Sequence, residues 1–185
     1  CWTECLAVLN KSQRQVSKAI AAAWQRFPFP LLGIDSDNGS EFINANLLRY
    51  CTQEGITFTR SREYRKNDQA HVEQKNWSVV RQFVGYDRYT GTTVLRQLEA
   101  LYQPLRLYVN FFQPVLKLVA KERVGTRVQK RYDIAKTPYQ RVLACEQVSA
   151  ESKRRLQELQ VTLNPAALLR QIEALQADLW ASRER

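Results

Sequence analysis

The feature that most constrains this chain is an apolar run, Pro30-Leu31-Leu32-Gly33-Ile34, that passes directly into Asp35-Ser36-Asp37-Asn38-Gly39. A short apolar run closed by turn residues predicts a buried strand, with Asp37 at its C-terminal end. Glu73 stands 36 positions after Asp37, near the start of a segment that predicts a helix to about Tyr86. Carboxylates so distant in sequence can meet only through the tertiary fold. A carboxylate at a strand's end and another on a facing helix is a common way to hold divalent cations at a phosphate.

The surrounding pattern alternates. Residues 1–9 read as a strand with Trp2, Leu6 and Val8 on one face. Ser12 and Gln15 form a capping-box pattern that opens a helix to about Phe27, with Val16, Ile20, Ala23, Trp24 and Phe27 along one stripe. After Asp37 a second helix carries Phe42, Leu47 and Cys51 toward the core, and Gly55 ends it. Ile56 to Thr59 is a short β-branched and aromatic strand, and Arg60 to Lys66 a basic loop. Strand, helix, strand, helix, strand, helix is α/β layering around a sheet.

Residues 92–120 predict one or two further helices, and residues 117–141 a less regular basic stretch that suits contact with DNA. A polar helix covers 150–163. Asn164-Pro165 opens a last helix whose seam, Leu168, Ile172, Leu175 and Leu179, fits packing on its own domain or on another subunit. The boundaries that follow are 1–90, 91–148 and 149–185.

Charge narrows the partner. The net charge is +10, and residues 61–150 hold 16 basic against 8 acidic side chains while both flanking segments are nearly balanced. That concentration points to a polyanion, a phosphate backbone first, with a solvated basic face as the alternative. Four cysteines without a Cys-x-x-Cys pair, and a single His, argue against zinc. Asp35 to Gly39 mimics a calcium loop, but the Gly comes one position early and position 12 is Asn46. No apolar run reaches 18 residues, and no signal peptide is evident.

Asp37-Asn38-Gly39-Ser40-Glu41-Phe42, followed by His71-Val72-Glu73-Gln74-Lys75-Asn76 at this spacing, resembles the integrase catalytic core of insertion-sequence transposases and retroviral integrases. The resemblance continues through Val80 to Tyr86, Asn110-Phe111-Phe112-Gln113-Pro114 and Thr137-Pro138-Tyr139-Gln140-Arg141. It implies an RNase H-like α/β fold, incomplete because its first strands are missing, with a mainly helical C-terminal extension. It also implies Asp37 and Glu73 as catalytic ligands of Mg²⁺ or Mn²⁺, nicking at a transposon end, and attack of the freed 3′-hydroxyl on target DNA. The family's first catalytic Asp has no counterpart, since Glu4 and Asp35 sit in unmatched contexts. With no Met and an opening that reads as mid-strand, the chain is expected to be an inactive fragment of such an enzyme.

Candidate DNA contacts are Asn38, His71, Lys75, Asn76, Arg81, Lys130 and Arg131, with plain surface roles as the alternative for His71, Lys75 and Arg81. Trp77 is expected in the core. The full-length protein is expected to be a homo-oligomer on the bacterial nucleoid in the cytoplasm, with no membrane partner. A non-catalytic DNA-binding fragment and an RNase H-like nuclease are the rival readings.

Overall fold

A computed structural model of the chain describes residues 2–36, 45–61 and 74–183. Among them the architecture is mixed α/β and mainly helical, with two small two-stranded sheets.

The first half builds a small βαβ unit. Helix α1 (Gln13–Trp24) starts after Ser12 as expected, but Ser12 makes no side-chain cap bond, so only the position of the capping pattern is right. Strand β1 (Gly33–Ser36) pairs in parallel with β2 (Thr57–Arg60), and α2 (Ala45–Gln53) lies in the crossover between them. Gly33 permits this pairing, because a Cβ there would sit 3.2 Å from the Thr57 carbonyl oxygen. Leu47, Cys51 and Ile56 form the buried centre, with Ile20, Trp24, Ile34 and Phe58 packed around it. Phe42 lies outside the described residues. The fully buried strand expected before Asp37 is half open instead: Leu32 is 70% exposed, and among the described residues β1 is paired along one edge only.

The second half is a helical body. Helix α3 is π-helical over Asn76–Arg81 and α-helical over Gln82–Val84, ending at Gly85 with φ of 87°. The long helix α4 (Gly91–Phe112) runs through Pro104, which gives up one backbone hydrogen bond in the middle of a buried face. The last helix, α7 (Pro165–Ala181), lies along α4. Its expected seam packs on its own chain, with Ile172 and Leu179 fully buried against Leu101, Leu105 and Val109. Asn164 caps α7 through its side-chain oxygen, which accepts from the Ala166 and Ala167 amides.

Two expectations fail here. Residues 2–7 form no strand; they are an extended segment held on α4 by side chains. Asn110, fully buried, plays the part of a neighbouring strand: its Oδ1 accepts from the Thr3 amide at 2.8 Å and its Nδ2 donates to the Thr3 carbonyl at 2.7 Å. One turn earlier, Arg106 donates to both oxygens of Glu4 (2.8 and 3.0 Å), and Trp2 Nε1 donates to the same carboxylate at 2.9 Å. Helix also does not continue to 120. The chain leaves α4 at Phe112 and forms an antiparallel hairpin, β3 (Leu118–Val124) and β4 (Arg127–Tyr132), where an irregular stretch was expected. Gly125, at φ 63°, supplies the left-handed residue its two-residue turn needs.

Helices α5 (Pro138–Leu143) and α6 (Ala150–Thr162) close a second cluster, in which Phe111, Val142, Val148 and Leu156 are buried and Trp2, Phe29 and Tyr139 pack beside them. Contacts therefore cross both expected boundaries, at 90 and at 148. No described helix is long and apolar enough to cross a membrane.

Candidate metal site and nucleic-acid interface

Strand β1 ends at Ser36, and Asp37 is the next residue in the chain. Asp37, Asn38, His71 and Glu73 all lie outside the described residues, which resume at Gln74. The neighbourhood on each side is described. Asp35 is exposed on β1 and its Oδ1 accepts from Thr59 Oγ1 at 2.9 Å, so this carboxylate is occupied across the sheet. Ser36 is buried, and its hydroxyl has no partner among the described residues. No cluster of three or more His, Cys, Asp or Glu occurs among the described residues.

The helix after Glu73 is π-wound over six residues, Asn76–Arg81, a rare geometry that is frequent at functional sites. It turns Val79 into the α4–α7 core and leaves Trp77 58% exposed, which corrects the expectation that Trp77 is core. Asn76 beside it is also exposed. Lys75 is half-buried near Cys5, and burial lowers its pKa below the usual lysine value. Burial first, and then the Glu4 charge, push the Cys5 thiol up to about 11, so this cysteine is a packing residue rather than a nucleophile. Arg81 is engaged within its own helix end: Nη1 donates to the Gly85 carbonyl at 3.3 Å, and the guanidinium lies 4.8 Å from the centre of the Tyr86 ring.

Lys130 and Arg131 lie on β4, exposed and on opposite faces of the hairpin. Their neighbours Lys121 and Arg123, not among the sequence-based candidates, are exposed on β3. The Gly125-Thr126 pair between two charged, β-branched runs was the available signal for this hairpin. Its base is clamped. Arg141 donates to both oxygens of Asp133 (2.6 and 3.1 Å) and to the Val115 carbonyl at 2.7 Å, while the Lys117 amide donates to Asp133 at 2.7 Å. The bonds from Arg141, then that from Lys117, hold the Asp133 carboxyl at about 2.

Two stretches that carry the family resemblance thus have structural jobs. Asn110 pins the N-terminal segment, and Phe111 packs on Trp2 and Tyr139 at 5.8 and 5.0 Å between ring centres. Thr137 and Gln140 make a reciprocal capping box at the start of α5, with bonds of 2.9 and 3.1 Å. A cavity of about 500 Å³ between Trp2, Phe29, Leu32, Val142 and Val148 has Arg141 on its wall, already engaged with Asp133.

Over 131 residues, 71% of its length, the chain is 50% identical to the uncharacterized protein y4rM of Sinorhizobium fredii (strain NBRC 101917 / NGR234). The match covers 37% of that protein, so the chain spans little more than a third of its relative's length. No protein-family model matches the chain.

Proposed function

We infer that the chain is part of a transposase or integrase that cuts and joins DNA, with Asp37 and Glu73 as the carboxylates of a divalent-metal site. The observation that supports this most is the parallel pair β1–β2, with β1 ending one residue before Asp37. In α/β sheets, ligands bind beyond the carboxyl ends of parallel strands. An RNase H-like arrangement, with further strands along the open edge of β1, accommodates this pair and would cover Leu32.

The donor set fits the metal. Two carboxylates, without His or Cys, suit the hard cations Mg²⁺ and Mn²⁺. When bound, these ions supply charge neutralisation at the phosphate and lower the pKa of the attacking hydroxyl or water. The chain's own contribution would be positional: Asp37 and Glu73 would hold the cation, and exposed Asn76 and Trp77 lie on the helix after Glu73, where a DNA end would approach. Cutting transfers a phosphoryl group from the strand's 3′-oxygen to water, leaving a 3′-hydroxyl. Joining transfers a target phosphoryl group to that hydroxyl and releases the target's own 3′-oxygen.

The family's reaction uses a third carboxylate, which this sequence does not match, so activity is proposed for the full-length protein and not for residues 1–185 alone. The exposed basic hairpin favours a second reading, in which this segment binds DNA without chemistry.

The test uses the full-length gene product, Mg²⁺ or Mn²⁺, and labelled duplexes taken from the DNA flanking its gene. Nicked and strand-transfer products that vanish in Asp37→Asn and Glu73→Gln are expected. Hydrolysis without joining would favour a nuclease, and binding without either product would leave only the DNA-binding reading.

A further inference from the structure

We propose that the β3–β4 hairpin is a ribbon that enters the major groove of duplex DNA with one particular face, the face bearing Lys121, Arg123, Lys130 and Tyr132. The proposal rests on the preceding reading only for the identity of the polyanion.

Register separates the faces. Lys121 pairs with Lys130, Arg123 with Val128, and Leu118 with Tyr132. Cross-strand partners share a side and side chains alternate along each strand, except that the bulge between Leu118 and Ala120 shifts the register and keeps Leu118 with its partner Tyr132. These six therefore share one side of the ribbon, while Glu122, Arg127, Gln129 and Arg131 project from the other. The first side therefore holds three cations and no carboxylate; on the second, Glu122 offsets Arg127 and Arg131. Lys121 and Lys130 stand directly opposite each other, an arrangement that disfavours the hairpin unless an anion lies between them. Neither they nor Arg123 has an ion-pair partner among the described residues.

The same side exposes Leu118, Val128 and Tyr132, each close to half accessible. Phosphates would take the cations, and these apolar groups suit thymine methyls and base edges. A two-stranded hairpin solvated on both faces is marginal by itself, which favours a bound partner. Its dimensions choose among polyanions. Two strands lie about 4.8 Å apart and seven residues extend about 23 Å. A ribbon of that width fits the roughly 12 Å major groove of B-form DNA, whereas the major groove of A-form RNA is too narrow. The Asp133–Arg141 clamp fixes the ribbon's base, and the Gly125 turn keeps its tip slim.

The test is fluorescence anisotropy of the whole chain on a mixed-sequence DNA duplex across a salt series. In Lys121→Ala/Arg123→Ala/Lys130→Ala, affinity should fall about tenfold or more at 0.1 M salt, and the log–log salt slope should shrink by about 2–3. Arg127 and Arg131 lie on the side turned away from the groove, which takes Arg131 out of the sequence-based DNA contacts. Arg127→Ala/Arg131→Ala should therefore change affinity less than about threefold, with a slope change below about 1. Unchanged thermal melting in both variants keeps the comparison about binding. Equal losses in the two variants, or none in the triple variant, would overturn the proposal. So would equal binding to an A-form RNA duplex, or a dimer that the triple variant dissociates.

Failure here is separable from failure of the transposase reading. Face-selective DNA binding by a full-length protein that joins no strands sinks that reading and leaves this one standing. Joining by a protein whose two hairpin faces are interchangeable does the reverse.

Discussion

The two halves of this molecule are built to different standards. Around α4 the core is dense: Leu101, Ile172 and Leu179 are completely buried, and even the polar Asn110 is sealed in with both of its amide bonds made. Among the described residues around β1 and β2 the core is thin. No residue of α1 is fully buried, β1 alternates between exposed and covered positions, and apolar Leu32 faces solvent. Yet the thin half bears the Asp37 stretch. A parallel pair normally has both faces covered, and among the described residues this one does not. The comparison teaches that sequence resemblance to a catalytic core and local burial are separate properties.

The strongest way to break this contrast is at the buried ion pair. Glu4 is 1% exposed, and Arg106→Ala leaves its carboxylate without its bidentate partner, so a loss of about 3–5 kcal/mol is expected in urea unfolding. A loss below about 1 kcal/mol would show that the N-terminal segment is not integral to the body.

Asn110→Ala should cost somewhat less, about 2–3 kcal/mol, because it removes the two hydrogen bonds from the buried Asn110 side chain to the Thr3 amide and carbonyl. Amide exchange at Thr3 should accelerate in parallel. The contrast is sharpened by comparing two leucines. Leu101→Ala should cost about 3–4 kcal/mol globally, whereas Leu47→Ala should act mainly on local opening of the β1–β2 unit, seen as faster exchange there with little change at α4.

The smallest effect is a titration. The Arg141 guanidinium holds the Asp133 carboxyl at about 2, well below the usual carboxylate range, so its stabilising contribution is complete above about pH 4 and is lost as pH falls through 2. Exchange at the base of the hairpin should rise over that window in the wild type. In Asp133→Asn this acid-dependent component should vanish.

Much of the fold could be read from local signals. Gly55 ends α2, the end of the apolar run before Asp35 enters β1, and Asn164-Pro165 opens α7, because caps, turns and periodicity are written in neighbouring residues. What escaped depends on distant partners or on which faces are covered. Residues 2–7 have a strand's pattern, but their hydrogen-bond partner is a side chain 107 positions away. The hairpin shows no polar-and-apolar alternation, since neither of its faces is covered. Trp77 was misplaced because a large apolar side chain was assigned to the core by its type, whereas this helix buries Val79 and leaves Trp77 exposed. For the site, spacing and resemblance single out Asp37 and Glu73, which lie outside the described residues, while the exposed cations at 121 and 123 needed the strand register before they could be assigned to a face.

The central claim is that Asp37 and Glu73 share a divalent cation. Manganese binding to the full-length protein, followed by electron paramagnetic resonance, tests it most directly. The account predicts bound Mn²⁺ that is lost on Asp37→Asn and on Glu73→Gln but kept in Asp35→Asn. Binding that survives both of the first two substitutions would contradict it.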